Sequence, residues 1–178
     1  MTIKKTQKNG LTITTEHAEI VLEPNQVSIK RKDGADHKLP VTIASPGEYE
    51  VAGVFVAAYD SVSGFLIETE SFAIAYLSNR AQLDLSTSSD DVKDRAQLDA
   101  KDLAGRLPAD LIEQTDVLIL PGSLTALVAQ FAPSLLIPTD NLEQLAEKLG
   151  VDAPAPINSL TLKKISDLPE EMELVNLG

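Results

Sequence analysis

No cysteine occurs anywhere in the chain, and histidine occurs only at His17 and His37. The first absence excludes disulfides and thiolate metal centres and favours a reducing compartment. Each histidine reads as a surface residue: His17 lies by a predicted turn and His37 beside Lys38, without the partners that a ligand or base requires. No apolar run approaches the ~20 residues of a membrane helix. The start, MTIKKTQKNG, has no apolar stretch of signal-peptide length. A cytoplasmic protein with no membrane role is expected. Basic residues are also scarce, 15 Lys and Arg against 27 Asp and Glu, for a net charge of -12. That field repels phosphate backbones and argues against a nucleic-acid partner. The one basic run, Lys30-Arg31-Lys32, is followed by Asp33-Gly34, a hairpin signal, and reads as a solvated turn.

Several catalytic signatures are missing as well. There is no G-x-S-x-G nucleophile elbow and no phosphate-binding G-x-x-x-x-G-K-[ST] or G-x-G-x-x-G. Pro121-Gly122-Ser123 could offer backbone donors to an anion, but a strand-to-helix turn capped by Ser123 is the expectation.

What is present is a globular composition, 43% hydrophobic over 178 residues, enough for one domain. Leu11 and Ile13 alternate with Thr12 and Thr14, and Ile20-Val21-Leu22 is continuous, which predicts a strand buried on both faces. Further strands are expected from Val27, at Leu39–Ala44, at Glu50–Ala58, and at Gly64–Thr69 and Phe72–Leu77, the last two joined near Glu70-Ser71. Ser45-Pro46-Gly47 suits a type II turn. Around it, IASPGEYEV reads as a hairpin with Glu48 and Glu50 on one strand face and Tyr49 on the other, so the phenol and the carboxylates do not converge. Residues 80–106 are polar and acidic and carry the pentapeptide RAQLD twice, at Arg80–Asp84 and Arg95–Asp99. A mobile insertion is predicted there, with a helix from about Asp90 to Leu103. Beyond it the pattern gives a short helix after Leu107, a central strand at Asp116–Pro121, a helix at Ser123–Phe131 and a strand at Leu135–Pro138. An amphipathic helix at Asn141–Leu149 follows, closed by Gly150, and then a terminal hairpin-like pair of strands.

Six segments in order carry a family likeness: TIKKTQKNGLTITTEHAEIVLEP, PGEYEVAGVFV, FAIAYLSN, TDVLILPGS, APSLLIPTDN and LTLKKISDLPEEMELVNL. The chain resembles the metallo-β-lactamase superfamily, in particular its small branch related to the L-ascorbate-6-phosphate lactonases. PGEYEVAGVFV is the most specific stretch. The resemblance implies an α/β layered fold, a truncated αββα sandwich of mostly antiparallel sheets, spanning residues 1–178. It also implies a metal site built from an H-x-H-x-D-H loop, a further His, a bridging Asp and a last His. Those ligands are not kept. The H-x-H-x-D-H segment is missing, and Lys8-Asn9 stands where the opening G-H-S would be. By the same alignment Asn79 takes the bridging Asp position, Asp140 the last His position, and Glu23 the position of a supporting Asp. Glu23, Asn79 and Asp140 are therefore vestigial site positions. One Glu and one Asp can hold a hard cation only with waters, and zinc hydrolysis needs more imidazole. The expectation is a pseudoenzyme with no catalytic residues, no metal and no cofactor, which acts through an unknown protein partner or self-association. The alternatives are a divergent hydrolase with a rebuilt or partner-completed site, and a ligand-binding module using the old active-site mouth.

Overall fold

The computed structural model describes residues 1–6, 10–32, 39–59, 64–78 and 107–178. The predicted insertion at 80–106, its helix, Lys8-Asn9, His37 and the Asp33-Gly34 turn lie outside the described residues.

The first half is built from two-residue periodicity. β1 (Thr2–Lys5), β2 (Leu11–Thr14), β3 (Ala18–Glu23), β4 (Gln26–Arg31) and β5 (Val41–Ile43) form one antiparallel sheet. The β2–β3 turn is fixed by Thr15, whose hydroxyl accepts from the Ala18 N–H at 2.9 Å and donates to the Ala18 carbonyl at 3.1 Å. In β3, Ala18, Ile20 and Leu22 are buried, but Val21 is only half-buried. The expected two-sided burial is thus corrected: among the described residues no helix packs on the outer face of this sheet, so only the inward-facing residues leave water.

β6 (Gly47–Val51), β7 (Val54–Tyr59), β8 (Gly64–Thr69) and β9 (Phe72–Leu77) are antiparallel neighbours in a second sheet. Here Ser45-Pro46-Gly47 departs from the sequence reading. It does not close a hairpin: β5 pairs with β4 in the first sheet and β6 with β7 in the second. The segment is a corner that carries the chain between layers, and Gly47 at φ 141° takes a conformation that favours glycine. The real hairpin turn is Ala52-Gly53, with φ of 54° and 72°, inside what the sequence presents as one long strand. Both central residues at positive φ make the turn that matches strand twist. Glu70-Ser71, at 48° and 69°, repeats it between β8 and β9.

The second half supplies the parallel strands and helices. α1 (Ala109–Glu113) precedes β10 (Val117–Leu120), every residue of which is buried. A 3-10 helix at Gly122–Leu127 runs into α2 (Val128–Phe131). β11 (Leu135–Pro138) and α3 (Leu142–Leu149) follow, and Gly150 closes α3 in the left-handed conformation, as predicted. β12 (Leu160–Thr161) and β13 (Glu173–Leu174) complete the chain. They do not form the expected terminal hairpin. β12 pairs with β1 in the first sheet, and β13 runs parallel to β11 in the second.

The sheet orders are β12-β1-β2-β3-β4-β5 and β13-β11-β10-β9-β8-β7-β6. Their inner faces enclose one core, with Ile20, Leu22 and Ile29 facing Ile67, Ile74 and Ile119. The outer face of the second sheet, through Leu118, Leu120 and Leu136, packs on Leu111, Phe131 and Leu145 of the three helices. The result is a layered sandwich of two mostly antiparallel sheets with helices outside the second.

Candidate active-site edge

β9, β10 and β11 are parallel neighbours, so their carboxyl ends share one edge of the second sheet. Ser78, Pro121 and Thr139 follow those ends. The Thr139 N–H donates to the Leu120 carbonyl at 2.9 Å and holds the β10 and β11 exits side by side.

Asp140 sits at this edge and already has work there. Its Oδ1 accepts the buried Gly122 N–H at 2.8 Å, and Asn141 Nδ2 donates to the same oxygen at 3.3 Å. The first N–H groups of a helix lack internal partners, so the carboxylate supplies what the turn needs. The predicted Ser123 cap is corrected accordingly: Ser123 is exposed and no side-chain cap bond forms. Approach is close enough that a Cβ on Gly122 would lie 2.8 Å from the Asp140 carbonyl oxygen and 2.9 Å from that of Asn141. Asn141 itself adopts φ 48° before α3, a conformation that Asn tolerates better than most residues.

Glu23 ends β3, and Gln26 Nε2 donates to its Oε2 across the Pro24-Asn25 turn. It lies within electrostatic reach of Tyr76 on β9. The Tyr76 phenol is pushed up to about 12, first by burial and then by the Glu23 charge. Tyr76 stacks on Phe65, with ring centroids 6.2 Å apart. The sequence did not single out Tyr76, and nothing in its local pattern distinguishes it from a core aromatic. Asn79 lies outside the described residues.

The Glu23 charge thus reaches Tyr76 on β9, and Asp140 is joined to Gly122. Among the described residues, no group of three or more His, Cys, Asp or Glu is placed to hold a metal ion. His17 is remote from this edge. It sits at the β2–β3 turn, its backbone carbonyl accepts from Lys32 at 2.9 Å, and its imidazole is 60% exposed. The described residues do not fit a zinc centre of imidazoles and carboxylates.

Tyr49, from the PGEYEV stretch, faces the inter-sheet core while Glu48 and Glu50 face out, as the alternation predicted. Its hydroxyl donates to the Ser45 carbonyl at 3.1 Å and braces the corner.

Among solved structures the chain matches the 2.00 Å crystal structure of a proposed Zn-dependent hydrolase of the metallo-β-lactamase superfamily from Thermotoga maritima. The TM-score is 0.59 at 16% sequence identity, over 99% of this chain and 98% of that one. The fold is a metallo-β-lactamase-like sandwich. At this identity the likeness concerns the fold and not the chemistry. No family model matches the chain, and no curated protein does. No described helix is long and apolar enough to cross a membrane.

A second concavity lies at the opposite end of the second sheet, where β9 and β10 begin. It has a volume of about 530 Å³ and is lined by Glu50, Phe55, Glu68, Phe72 and Asp116, among others. Sequence reading missed it, because its residues come together only through strand register: Glu50 stands opposite Phe55, and Phe55 opposite Glu68.

Proposed function

We propose that this chain is a non-catalytic metallo-β-lactamase-like domain, a cytoplasmic pseudoenzyme that works through binding or assembly. The observation that carries the reading is the state of Asp140. At the position matched to the family's last ligand, the carboxylate is committed to the Gly122 N–H and the Asn141 amide. Glu23 likewise accepts from Gln26. The two vestigial carboxylates serve the backbone and a neighbouring side chain. The likeness of PGEYEVAGVFV to the lactonase-related branch supports an ancestry near those enzymes, and in this reading residues 80–106 belong to the same single domain.

Hydrolysis of a phosphodiester, a lactone and a β-lactam, with zinc or manganese added, is the test. The expected result is no turnover above a metal-only control, and no stoichiometric metal retained by the purified protein. A protein-dependent rate that Asp140→Ala or Glu23→Ala abolishes would establish the divergent-hydrolase reading instead.

A further inference from the structure

β6 is an open edge. Among the described residues it has β7 on one side and no strand on the other. At five residues it is the longest edge strand among the described residues: β5 has three and follows Pro40, and β12 and β13 have two each. Its hydrogen-bonding groups can be assigned from the hairpin. With the two-residue Ala52-Gly53 turn, Val51 and Val54 exchange both backbone bonds. Tyr49 and Gly47 then bond β7, and the N–H and C=O groups of Glu48 and Glu50 point to the open side. These two residues also carry the exposed, outward-facing side chains of the strand. Among the described residues neither takes part in an ion pair.

The charge continues across the sheet. Register sets Glu50, Phe55 and Glu68 in one transverse row along the 530 Å³ concavity. Strand neighbours lie ~4.8 Å apart, so a carboxylate flanks the Phe55 ring on either side. A cation over an aromatic face is favoured by the ring quadrupole, and two flanking carboxylates add to it. The field of this face is also felt at Tyr59. Its phenol is pushed up to about 12 by burial first, then by the hydrogen bond to Asp110 and the charges of Asp110, Glu48 and Glu68.

We propose that β6 is a docking edge for an extended basic segment of a partner protein, which adds to the second sheet as an eighth strand with Lys or Arg at alternate positions. The inference deepens the reading above of a domain that works through binding, and names the kind of partner. Strand addition gives affinity through main-chain bonds and specificity through alternate side chains. In register with Glu48 and Glu50, residues two apart on the incoming strand face the two carboxylates directly. A long cationic side chain opposite Glu50 can reach over it toward Phe55. A second copy of this chain is a poor occupant of the same edge. Antiparallel β6–β6 pairing sets Glu against Glu, and each copy carries a net charge of -12.

The test uses the whole chain and a short synthetic peptide with lysine at every second position between threonine and valine. A peptide of the same composition with its lysines clustered is the control for diffuse attraction. Binding is read by fluorescence anisotropy and amide exchange by NMR. The alternating peptide should bind at least about tenfold more tightly than the clustered one, a difference of ~1.4 kcal/mol, and should slow exchange at the Glu48 and Glu50 amides. Glu50→Lys combined with Glu48→Lys should remove this binding. Glu48→Pro, which deletes a donor on the open side only, should weaken it with the thermal melt unchanged. If Glu48→Pro disturbs the fold, the double lysine variant decides. Equal binding of both peptides, protection at another edge, or binding that survives the double variant overturns the proposal. So does a concentration-dependent dimer that protects the same amides without peptide. Metal-dependent hydrolysis, in contrast, would overturn the pseudoenzyme reading and leave this edge to stand or fall on its own data.

Discussion

Replacing Asp140 with alanine separates a structural carboxylate from a metal ligand. In the native fold its Oδ1 accepts the Gly122 N–H at 2.8 Å, at a residue that is itself buried. Alanine leaves that donor without its acceptor in a place that water reaches poorly. An orphaned buried donor costs ~1–3 kcal/mol, toward the upper part of the range when the lost acceptor was charged. With a urea m-value of ~2 kcal/mol per molar for a chain of this size, the unfolding midpoint should fall by ~0.5–1.5 M. Asp140→Asn keeps an oxygen acceptor at the same reach and should lose less than half as much. Gly122→Ala attacks the same junction from the other side. The new Cβ would meet two backbone carbonyl oxygens at 2.8 and 2.9 Å, atoms that cannot rotate away, at a cost of ~1–3 kcal/mol. Equilibrium urea unfolding followed by circular dichroism measures all three variants. If Asp140→Ala unfolds within ~0.3 kcal/mol of the parent, a difference too small for an orphaned donor, the structural role assigned to this carboxylate is wrong.

Other expectations follow from the same reasoning. Tyr59 and Tyr76 are raised from the ordinary 10.0 to about 12, so the folded state holds their protons more tightly than the unfolded chain. Their contribution to stability is complete below pH 10 and is lost as pH rises through about 12, which thermal melts across that window and tyrosinate absorbance should both show. Glu70 pairs with the Met1 ammonium at 2.7 Å and accepts the Glu16 N–H at 2.5 Å. Burial raises its pKa, but the ammonium, that N–H and the His17 charge prevail, and the carboxyl ends below its ordinary 4.5. Its contribution is therefore present above pH 4.5 and is lost as pH falls through and below that value. Glu70→Gln should flatten this acid limb and cost at most ~1 kcal/mol at pH 7. Ala52 holds φ 54° beside Gly53, where Asn-Gly is the favoured pair. Ala52→Asn should accordingly raise the urea midpoint, by an equivalent of ~0.5–1 kcal/mol.

Local pattern was enough for many of the described strands and helices. The alternation through Leu11–Thr14, the apolar runs Val117–Leu120 and Leu135–Ile137, and the Asn141 to Gly150 helix frame all sit where the sequence places them. Side-chain periodicity belongs to the backbone conformation of one element, so one stretch of sequence contains it. The quoted family segments likewise carried the sandwich fold, which the full-length structural match supports.

Sheet membership was a different matter. Ser45-Pro46-Gly47 has the composition of a hairpin turn, yet it carries the chain from one sheet to the other. The last two strands look like partners and join separate sheets. Nothing local distinguishes a turn that folds back from one that crosses, because the choice depends on which distant strand offers free hydrogen-bonding groups and an apolar face. The same holds for the site. The resemblance proposes a family ligand position for Asp140, but the bond of this carboxylate to Gly122, 18 residues earlier, exists only because β10 and β11 run parallel and end together. Glu50, Phe55 and Glu68 are ordinary strand residues in sequence. Two antiparallel registers set them side by side, and a one-residue slip in either would turn that row to the other face of its strand.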